Sequence, residues 1–164
     1  MESFIMPKEY QVDETDLKII KLLEEDSKMN YREIADNIGV AVGTVHNRIN
    51  NLKENDIIKK FTVDIDTEKL GYQITAVILM QIKGKFIEKI EMELKQNPHV
   101  YGIYDTTGDW DSIIIVKFKK IADLNKFLKE LNTLENVERT STSVCLNVVK
   151  ENTFFPLPEE KPSS

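Results

Sequence analysis

The sequence predicts an α+β protein with two domains. The first is an N-terminal three-helix helix-turn-helix domain of winged-helix-like type, and the second, after a linking strand, is a C-terminal ferredoxin-like domain of order βαββαβ. Residues 30–55 carry two short helical patterns separated by a glycine at helix-turn-helix spacing. From residue 72 onward, apolar strand patterns alternate with two amphipathic helical patterns. The 164 residues suffice for two small domains.

Three helices are expected in the first domain. Asp13 is placed to cap a first helix, whose apolar stripe would pack behind the other two helices. Asn30 can cap the second helix, and Glu33 follows three residues later, which is the spacing of a capping box. Gly39 is expected to end that helix, because glycine adopts the left-handed backbone conformation at little cost.

The third helix has an apolar side and a polar side. Val45, Ile49 and Leu52 recur at i, i+4 and i+7 and are expected to face the protein. The other side carries Asn, Arg, Thr and His with no acid before Glu54, and these groups suit the base edges and phosphates of DNA. The predicted DNA-binding residues are Thr44, His46, Asn47, Arg48 and Asn51, with Lys53, Lys59 and Lys60 as positioning charges.

Arg48 is the favoured DNA contact in this set. A guanidinium can bind a guanine edge or a phosphate through two hydrogen bonds. The alternative is that Arg48 packs against the first helix or pairs with an acid. For His46 the sequence predicts exposure and nothing more.

The charge of the chain limits how it binds DNA. A formal net charge of -6 argues against a protein that coats nucleic acid through bulk electrostatics. Residues 42–60 carry four basic and two acidic side chains, a local net charge of +2. Because that excess is small, we expect two or more copies to act together on double-stranded DNA.

The segments after the helices are predicted from their β-branched content and alternation. The first strand and the third strand are apolar along nearly their whole length, so we expect a partner to cover the sheet face that the helices leave open. The proline-rich tail is expected to be disordered at its end. The domain boundaries are 1–56 for the helix-turn-helix domain, 57–71 for a linking strand (57–65) and hinge, 72–150 for the ferredoxin-like domain and 151–164 for the tail. Within the second domain we expect strands at 74–82, 100–107, 111–118 and 137–148, and helices at 86–96 and 122–134.

Other features of the sequence exclude several classes of protein. No apolar run reaches the length of a membrane span, and the start of the chain lacks the basic and apolar regions of a signal peptide, so we expect a cytoplasmic protein that does not bind a membrane. The single cysteine, Cys145, cannot form an intrachain disulfide and is expected to be a buried, inert thiol. We expect no metal and no cofactor other than an amino-acid effector.

Four segments, VDETDLKIIKLLEED, YREIADNIGVAVGTVHNRINNLKENDII, KLGY and TTGDWDSIIIV, follow one another in this order along the chain. In the order and spacing of these segments the chain resembles the Lrp/AsnC regulators, also called feast/famine regulatory proteins, over roughly residues 12–150. The resemblance implies a prokaryotic, often archaeal, transcription factor that dimerises through its C-terminal sheets, commonly assembles into octamers and senses amino acids between those domains. Two positions depart from the family pattern: Ala41 replaces the usual serine at the cap of the third helix, and Asp56 replaces a glycine.

An effector site is predicted at the loop between the two central strands. Gly108 permits a turn that exposes backbone amides to an α-carboxylate, while Asp109 or Asp111 could hold an α-ammonium. The hydroxyl-rich segment on the last strand corresponds to one that lines the pocket in the family. The alternative is an ordinary hairpin turn, with Trp110 packed at a subunit interface. The predicted residues are Thr107, Gly108, Asp109, Trp110, Asp111, Thr140, Ser141 and Thr142.

Three functions compete at this stage. The first is an effector-responsive transcriptional regulator that binds a pseudo-palindromic site as a homodimer or octamer. The second is an enzyme resembling the sirohaem decarboxylases, which the sequence disfavours because His46 and His99 fall in different domains and no catalytic residue set is recognisable. The third is an architectural DNA-binding protein without an effector, which differs from the first only in its response to ligand.

Overall fold

The computed structural model describes residues 10–151, which divide into two compact units. The described part of the first unit comprises residues 10–64, and the second unit comprises residues 65–151. The predicted α+β class and the βαββαβ order are confirmed, while the tail beyond Glu151 lies outside the described residues. The first unit contains α1 (Glu14–Glu25), α2 (Tyr31–Ile38) and α3 (Val42–Glu54); the second contains β1 (Ile74–Ile82), α4 (Ile87–Leu94), β2 (Val100–Asp105), β3 (Ser112–Phe118), α5 (Ile121–Thr133) and β4 (Val137–Val144).

Side chains cap the first two helices as predicted. The Asp13 carboxylate accepts a hydrogen bond from the Asp16 backbone N–H at 3.0 Å, and the Asp16 carboxylate accepts one from the Asp13 N–H at 3.1 Å. Asn30 and Glu33 form the same reciprocal arrangement at the start of α2. Gly39 ends α2 with a φ of 74°, which is the left-handed conformation that favours glycine. These caps satisfy backbone donors that a helix leaves unpaired at its first turn.

The core of the first unit joins the three helices. Ile19 and Leu23 of α1 pack with Ile34 of α2 and with Val45 and Ile49 of α3, and all five are buried. Leu52, predicted to lie on the same side of α3, is also fully buried. The apolar side of α3 is therefore occupied by the core of this unit, which leaves its polar side exposed.

The start of α3 lacks a side-chain cap, because Ala41 stands at the N-cap with no hydrogen-bonding atom. We expect Ala41→Ser to raise the free energy of unfolding of the first unit by about 1 kcal/mol, because a serine hydroxyl there can accept a bond from the first turn. Urea denaturation followed by circular dichroism measures the change. Ala41→Val, which adds bulk without an acceptor, is the control; a gain with valine equal to that with serine would contradict the capping explanation.

The predicted linking strand is wrong. Asp56 does adopt the left-handed conformation expected of it, with a φ of 56°, but residues 57–65 form no strand. Phe61, Val63 and Ile65 are exposed, Val63 to 67%. A strand exists only where another strand supplies backbone partners, and no described residue pairs with this segment.

The second unit is an antiparallel sheet with two helices on one face. The strand order is β2-β3-β1-β4, so the two most apolar strands, β1 and β3, are central. Ala76, Ile78 and Met80 alternate along β1 toward the helices and are fully buried. They pack with Phe127 and Leu131 of α5 in the main core.

Several predicted boundaries in the second unit differ from the structure. The strand expected at 100–107 ends at Asp105, and the strand expected at 137–148 ends at Val144, because Val144 is the last β4 residue that pairs with β1. The helix expected at 86–96 is shorter, since Gly84–Phe86 forms a 3₁₀ turn before α4. Cys145 is half-buried rather than buried, because it lies just beyond the end of β4.

The other face of the sheet is apolar and only partly covered. Val77 and Leu79 of β1 pair with Ile115 and Ile113 of β3, and all four are half-buried on the face away from the helices. We call this surface the open face. The prediction that both sides of these strands are apolar is confirmed. No helix among the described residues is long and apolar enough to cross a membrane.

One charged side chain lies at the end of the open face. Lys117 of β3 is 7% exposed, and its ammonium donates to Thr67 Oγ1 at 3.0 Å and forms an ion pair with Glu151. It also lies over the ring of Tyr101, 4.9 Å from the centroid. Through these contacts, Thr67 of the hinge and Glu151, the last described residue, are both bound to β3.

Candidate DNA-binding and effector-binding sites

The exposed side of α3 carries most of the residues predicted to bind DNA. His46, Asn47 and Asn51 are exposed, and Thr44 is half-buried beside them near the start of the helix. Because the opposite side of α3 packs into the core, these side chains share one polar surface. Amide, imidazole and hydroxyl groups can both donate to and accept from base edges.

Tyr31 extends this surface, although it was not among the residues predicted to bind DNA. Its ring lies against that of His46, with 5.7 Å between centroids and an angle of 63°. Tyr31 is the first residue of α2, while His46 lies on the first turns of α3, so the short turn at Gly39 brings them together. The contact restrains the His46 ring on the exposed side of the helix.

Arg48 contacts α1 in the structure. Its guanidinium forms an ion pair with Asp13 and a second one with Asp16, at 3.3 Å from Asp16 Oδ1. The side chain of Asp16 is fully buried, and that of Arg48 is 30% exposed. The structure thus favours the alternative given for Arg48, in which it joins α3 to α1.

A small polar network surrounds this ion pair. The Tyr10 hydroxyl donates to Asp16 Oδ2 at 2.9 Å, so the buried carboxylate is satisfied by a hydroxyl, a backbone amide and the guanidinium. The hydrogen bond from Arg48 holds the pKa of Asp13 below its usual value. Burial, followed by the hydrogen bond to Asp16, raises the pKa of Tyr10. Asp13 therefore remains charged at neutral pH, and the ion pairs with Asp13 and Asp16 keep Arg48 in place.

The predicted positioning charges lie at and beyond the end of α3. Lys53 is in its last turn, and Lys59 and Lys60 follow in the segment that the structure leaves without regular structure. All three are exposed. A lysine in the last turn also complements the negative end of the helix dipole.

The loop between β2 and β3 is a closed turn. Thr106 Oγ1 donates to the Trp110 carbonyl at 2.7 Å, and the Thr106 backbone N–H donates to the Asp111 carbonyl at 2.9 Å. Gly108 lies at the tip with a φ of 112°, in the region that glycine favours. Thr107 and Asp109 flank it and are exposed.

Asp111 has a structural role in this turn. Its Oδ2 accepts the Ile82 backbone N–H at 2.7 Å, and its own N–H donates to the Met80 carbonyl at 2.9 Å. These bonds extend the pairing of β1 and β3 by one residue. Of the two acids considered for an α-ammonium, Asp109 is therefore the one whose carboxylate is exposed.

The loop folds over the end of β1 toward β4. Gln81 Nε2 donates to the Asp109 carbonyl at 2.6 Å, and the guanidinium of Arg139 lies over the Trp110 ring, 5.2 Å from its centroid. Gln81 and Arg139 are partners in the β1–β4 register. Neither residue was among those predicted from the sequence, since their proximity depends on strand register.

The three predicted hydroxyl residues of β4 lie on two faces of the sheet. Ser141 pairs with Leu79 and shares the open face, whereas Thr140 and Thr142 pair with Met80 and Ile78, which point toward the helices. Thr140 Oγ1 accordingly donates to Asn132 Oδ1 of α5 at 2.9 Å. Of the three, only Ser141 is on the same side as the open face.

A surface cavity of about 460 Å³ lies elsewhere, between α4 and the edge strand β2. Its lining includes Glu88, Met92, Lys95 and Tyr101, and none of the predicted effector residues. Within residues 10–151, the predicted loop residues and Ser141 lie at the end of the open face, whereas Thr140 and Thr142 lie on the other side of the sheet.

Comparisons with known proteins assign both units. A winged helix-turn-helix DNA-binding domain matches residues 12–59, and the Lrp/AsnC ligand binding domain matches residues 75–154. An HTH-type transcriptional regulator of Pyrococcus furiosus is 45% identical over 142 residues, which are 87% of this chain and 96% of that protein. The chain belongs to the Lrp/AsnC family. As its archaeal relatives are HTH-type transcriptional regulators, this Lrp/AsnC protein is a DNA-binding regulator of transcription.

Solved structures of this fold agree with the assignment. E. coli AsnC superposes with a TM-score of 0.81 at 26% identity, covering 88% of this chain and 99% of AsnC. A transcriptional regulator of Neisseria meningitidis in complex with L-Met has a TM-score of 0.81 at 20% identity, covering 90% of this chain and 97% of that one. The expected Lrp/AsnC fold is confirmed.

Proposed function

We propose that this Lrp/AsnC regulator binds a pseudo-palindromic DNA site as a homo-oligomer and that an amino acid bound between its second units controls the assembly. The observation that carries the proposal is a division of roles between the units. The first presents a polar helix surface with its apolar side buried, and the second presents an apolar sheet face that is only partly covered.

Direct contact with DNA is assigned to the exposed side of α3. His46, Asn47 and Asn51 supply hydrogen-bonding groups for base edges, with Thr44 near the start of the helix. Lys53, Lys59 and Lys60 are assigned to the phosphates. Arg48 acts as a positioning residue, because its ion pairs with Asp13 and Asp16 hold α3 against α1.

Homo-oligomerisation is supported by the open face and by the charge of the chain. Four half-buried aliphatic side chains in a contiguous patch favour cover by another apolar surface. Because the chain has a net charge of -6, a single copy is expected to have a low affinity for DNA. Two copies bound together multiply the phosphate contacts and so raise that affinity. A two-fold dimer places its α3 helices on equivalent half-sites, hence the pseudo-palindrome, and dimers can associate further into the octamer that we propose.

An amino-acid effector is supported by the match of the second unit to the Lrp/AsnC ligand binding domain and by the loop around Gly108. The Neisseria regulator of similar fold binds L-Met. A ligand that prefers one arrangement of subunits shifts the population toward it and so changes the spacing of the DNA-binding units. We propose a cytoplasmic regulator without catalytic activity, in line with its relatives.

Asn47→Ala tests the assignment of α3. We expect it to weaken binding to a duplex enriched from a random pool by about 1–3 kcal/mol, because an amide that bonds a base edge is lost, and to leave binding to unrelated DNA nearly unchanged. Fluorescence anisotropy at fixed salt measures both affinities. Asn125→Ala, which removes an exposed amide from α5 in the second unit, is the control. Equal curves for Asn47→Ala and the parent would show that α3 does not contact the bases.

A ligand screen followed by titration with the same DNA distinguishes an effector-responsive regulator from an architectural protein without an effector. Thermal unfolding is recorded with each of the twenty amino acids, because a ligand that binds the native state raises the unfolding temperature. Any amino acid that stabilises the protein is then tested for its effect on oligomer size and on DNA affinity. An amino acid that changes both assembly and DNA affinity supports the proposal. The absence of any stabilising amino acid would favour the architectural alternative.

A further inference from the structure

Arg139 is the only arginine in residues 65–151 and lies beside the loop described above. It is exposed and stands over the Trp110 ring at 5.2 Å from the centroid. Among residues 10–151, no carboxylate forms an ion pair with it. Arg48, by contrast, is held by two carboxylates. Arg139 thus has a restrained guanidinium whose charge no described acid neutralises.

The contact with Trp110 suits Arg139 to bind an anion. Packing of the guanidinium against an aromatic ring uses its flat face, and its N–H groups stay available at the edge. Those donors match a carboxylate in bidentate geometry. Gln81, the β1 partner of Arg139, holds the loop in place through its 2.6 Å bond to the Asp109 carbonyl. The anion-binding group is therefore preorganised next to the loop.

A negative charge, that of Asp109, lies on the residue just before Trp110 in the chain. Asp109 is exposed, and no described cation forms an ion pair with its carboxylate. Asp111 is not equivalent, because its Oδ2 is bonded to the Ile82 N–H. A cation over the Trp110 ring and an exposed carboxylate on the preceding residue, neither of them in an ion pair among residues 10–151, match the two charged groups of a zwitterion.

We propose that Arg139 binds the α-carboxylate of an amino-acid effector, that Asp109 receives its α-ammonium, and that Trp110 forms one wall of the site. This inference rests on the proposed amino-acid sensing and deepens it, because it names the residue that recognises the carboxylate. Ser141, on the open face two residues further along β4, lies next to the site. A chemical requirement follows: ligands without a free α-carboxylate bind weakly.

The test uses the full-length protein and calorimetric titration with the stabilising amino acid and with its α-carboxamide. We expect the carboxamide to bind the parent about 10–100-fold more weakly, the loss typical of a charge-assisted hydrogen bond. In Arg139→Met the affinity for the amino acid should fall by the same factor, while that for the carboxamide changes little. Lys119→Met is the matched control, because Lys119 makes a similar contact over Tyr72, at 4.9 Å, in the same unit. It should leave both affinities unchanged.

Failure of Arg139 to bind the carboxylate can be distinguished from failure of the protein to bind amino acids. If Arg139→Met binds the amino acid as the parent does, or if the parent binds the carboxamide equally well, the assignment of Arg139 is overturned and amino-acid sensing stands. If the parent binds none of the twenty amino acids, both are overturned. Arg139→Lys, which keeps the charge without the bidentate geometry, should have an affinity between those of the parent and of Arg139→Met.

Discussion

Asp16→Ala should lower the free energy of unfolding of the first unit by about 2–3 kcal/mol, among the largest single effects expected in this chain. The carboxylate is fully buried and accepts hydrogen bonds from Tyr10, the Asp13 backbone and Arg48. Its removal leaves these donors without their partner. We place the loss at the lower end for a buried ion pair because Arg48 is 30% exposed and can regain some solvation.

Hydrogen exchange of the α1–α3 amides measures this loss within the first unit. Lys18→Ala is the control on the same helix, since the Lys18–Glu14 pair is solvent-exposed and should contribute less than about 0.5 kcal/mol. Asp16→Ala should also weaken DNA binding, because Arg48 then has only Asp13 to hold α3 in position. Unchanged exchange in Asp16→Ala would contradict the role of this carboxylate as the anchor of Arg48.

Ile115→Asp should convert the protein to a monomer and weaken its binding to a two-half-site duplex by roughly 10²-fold, the loss that accompanies separation of two linked binding units. Ile115 lies on the open face and pairs with Val77 of β1. An aspartate there would be buried without a partner if a second copy covered the face, at a cost that a dimer of this kind cannot sustain. Light scattering and DNA titration report the two changes.

Ile121→Asp is the matched control for this substitution. Ile121 is 61% exposed at the first turn of α5, away from the open face, and a carboxylate there suits the helix dipole. We expect its assembly and DNA affinity to equal those of the parent. A dimeric Ile115→Asp protein would show that copies meet through another surface, and a monomer with full DNA affinity would show that one unit suffices.

Local features of the fold could be predicted from the sequence because the interactions that produce them are local. Asn30 and Glu33 form the capping box within one turn, and Gly39 adopts the left-handed conformation between α2 and α3. The limits of β1, Ile74–Ile82, agree with the prediction because a nearly continuous apolar run between polar segments has clear ends. Each of these signals lies within a few residues of the structure that it predicts.

Features that depend on distant partners could not be predicted in the same way. Residues 57–65 have the composition of a strand. A strand also requires a second segment that supplies backbone hydrogen bonds, and the composition of residues 57–65 does not show whether such a segment exists. Arg48 and Asp16 are 32 residues apart, so their ion pair follows from the packing of α1 on α3. The apolar stripes predict that the helices pack, but not which polar side chains meet at the edge of the contact.

The effector residues show the same limit within a sheet. Alternation predicts that Thr140 and Ser141 face opposite ways, but only the register with β1 shows that Ser141 shares the open face. The register also shifts between Gln81 and Ile82, next to Arg139, an irregularity that residue composition does not encode. The loop was predicted from its own residues, whereas Gln81 and Arg139 belong to it only through pairing.

The contacts of Lys117 hold the hinge, which connects the sheet to the DNA-binding unit, against β3. The buried Lys117 ammonium holds Thr67 of the hinge and Glu151 near the chain end on β3, the strand that also carries Ile113 and Ile115. An ammonium so little exposed would be costly without both partners, so we expect Thr67 and Glu151 to stay attached to β3 when the sheet shifts. In the homo-oligomer that we propose, a shift in how two copies lie on that strand would therefore also displace Thr67, where the chain leads back toward the DNA-binding unit.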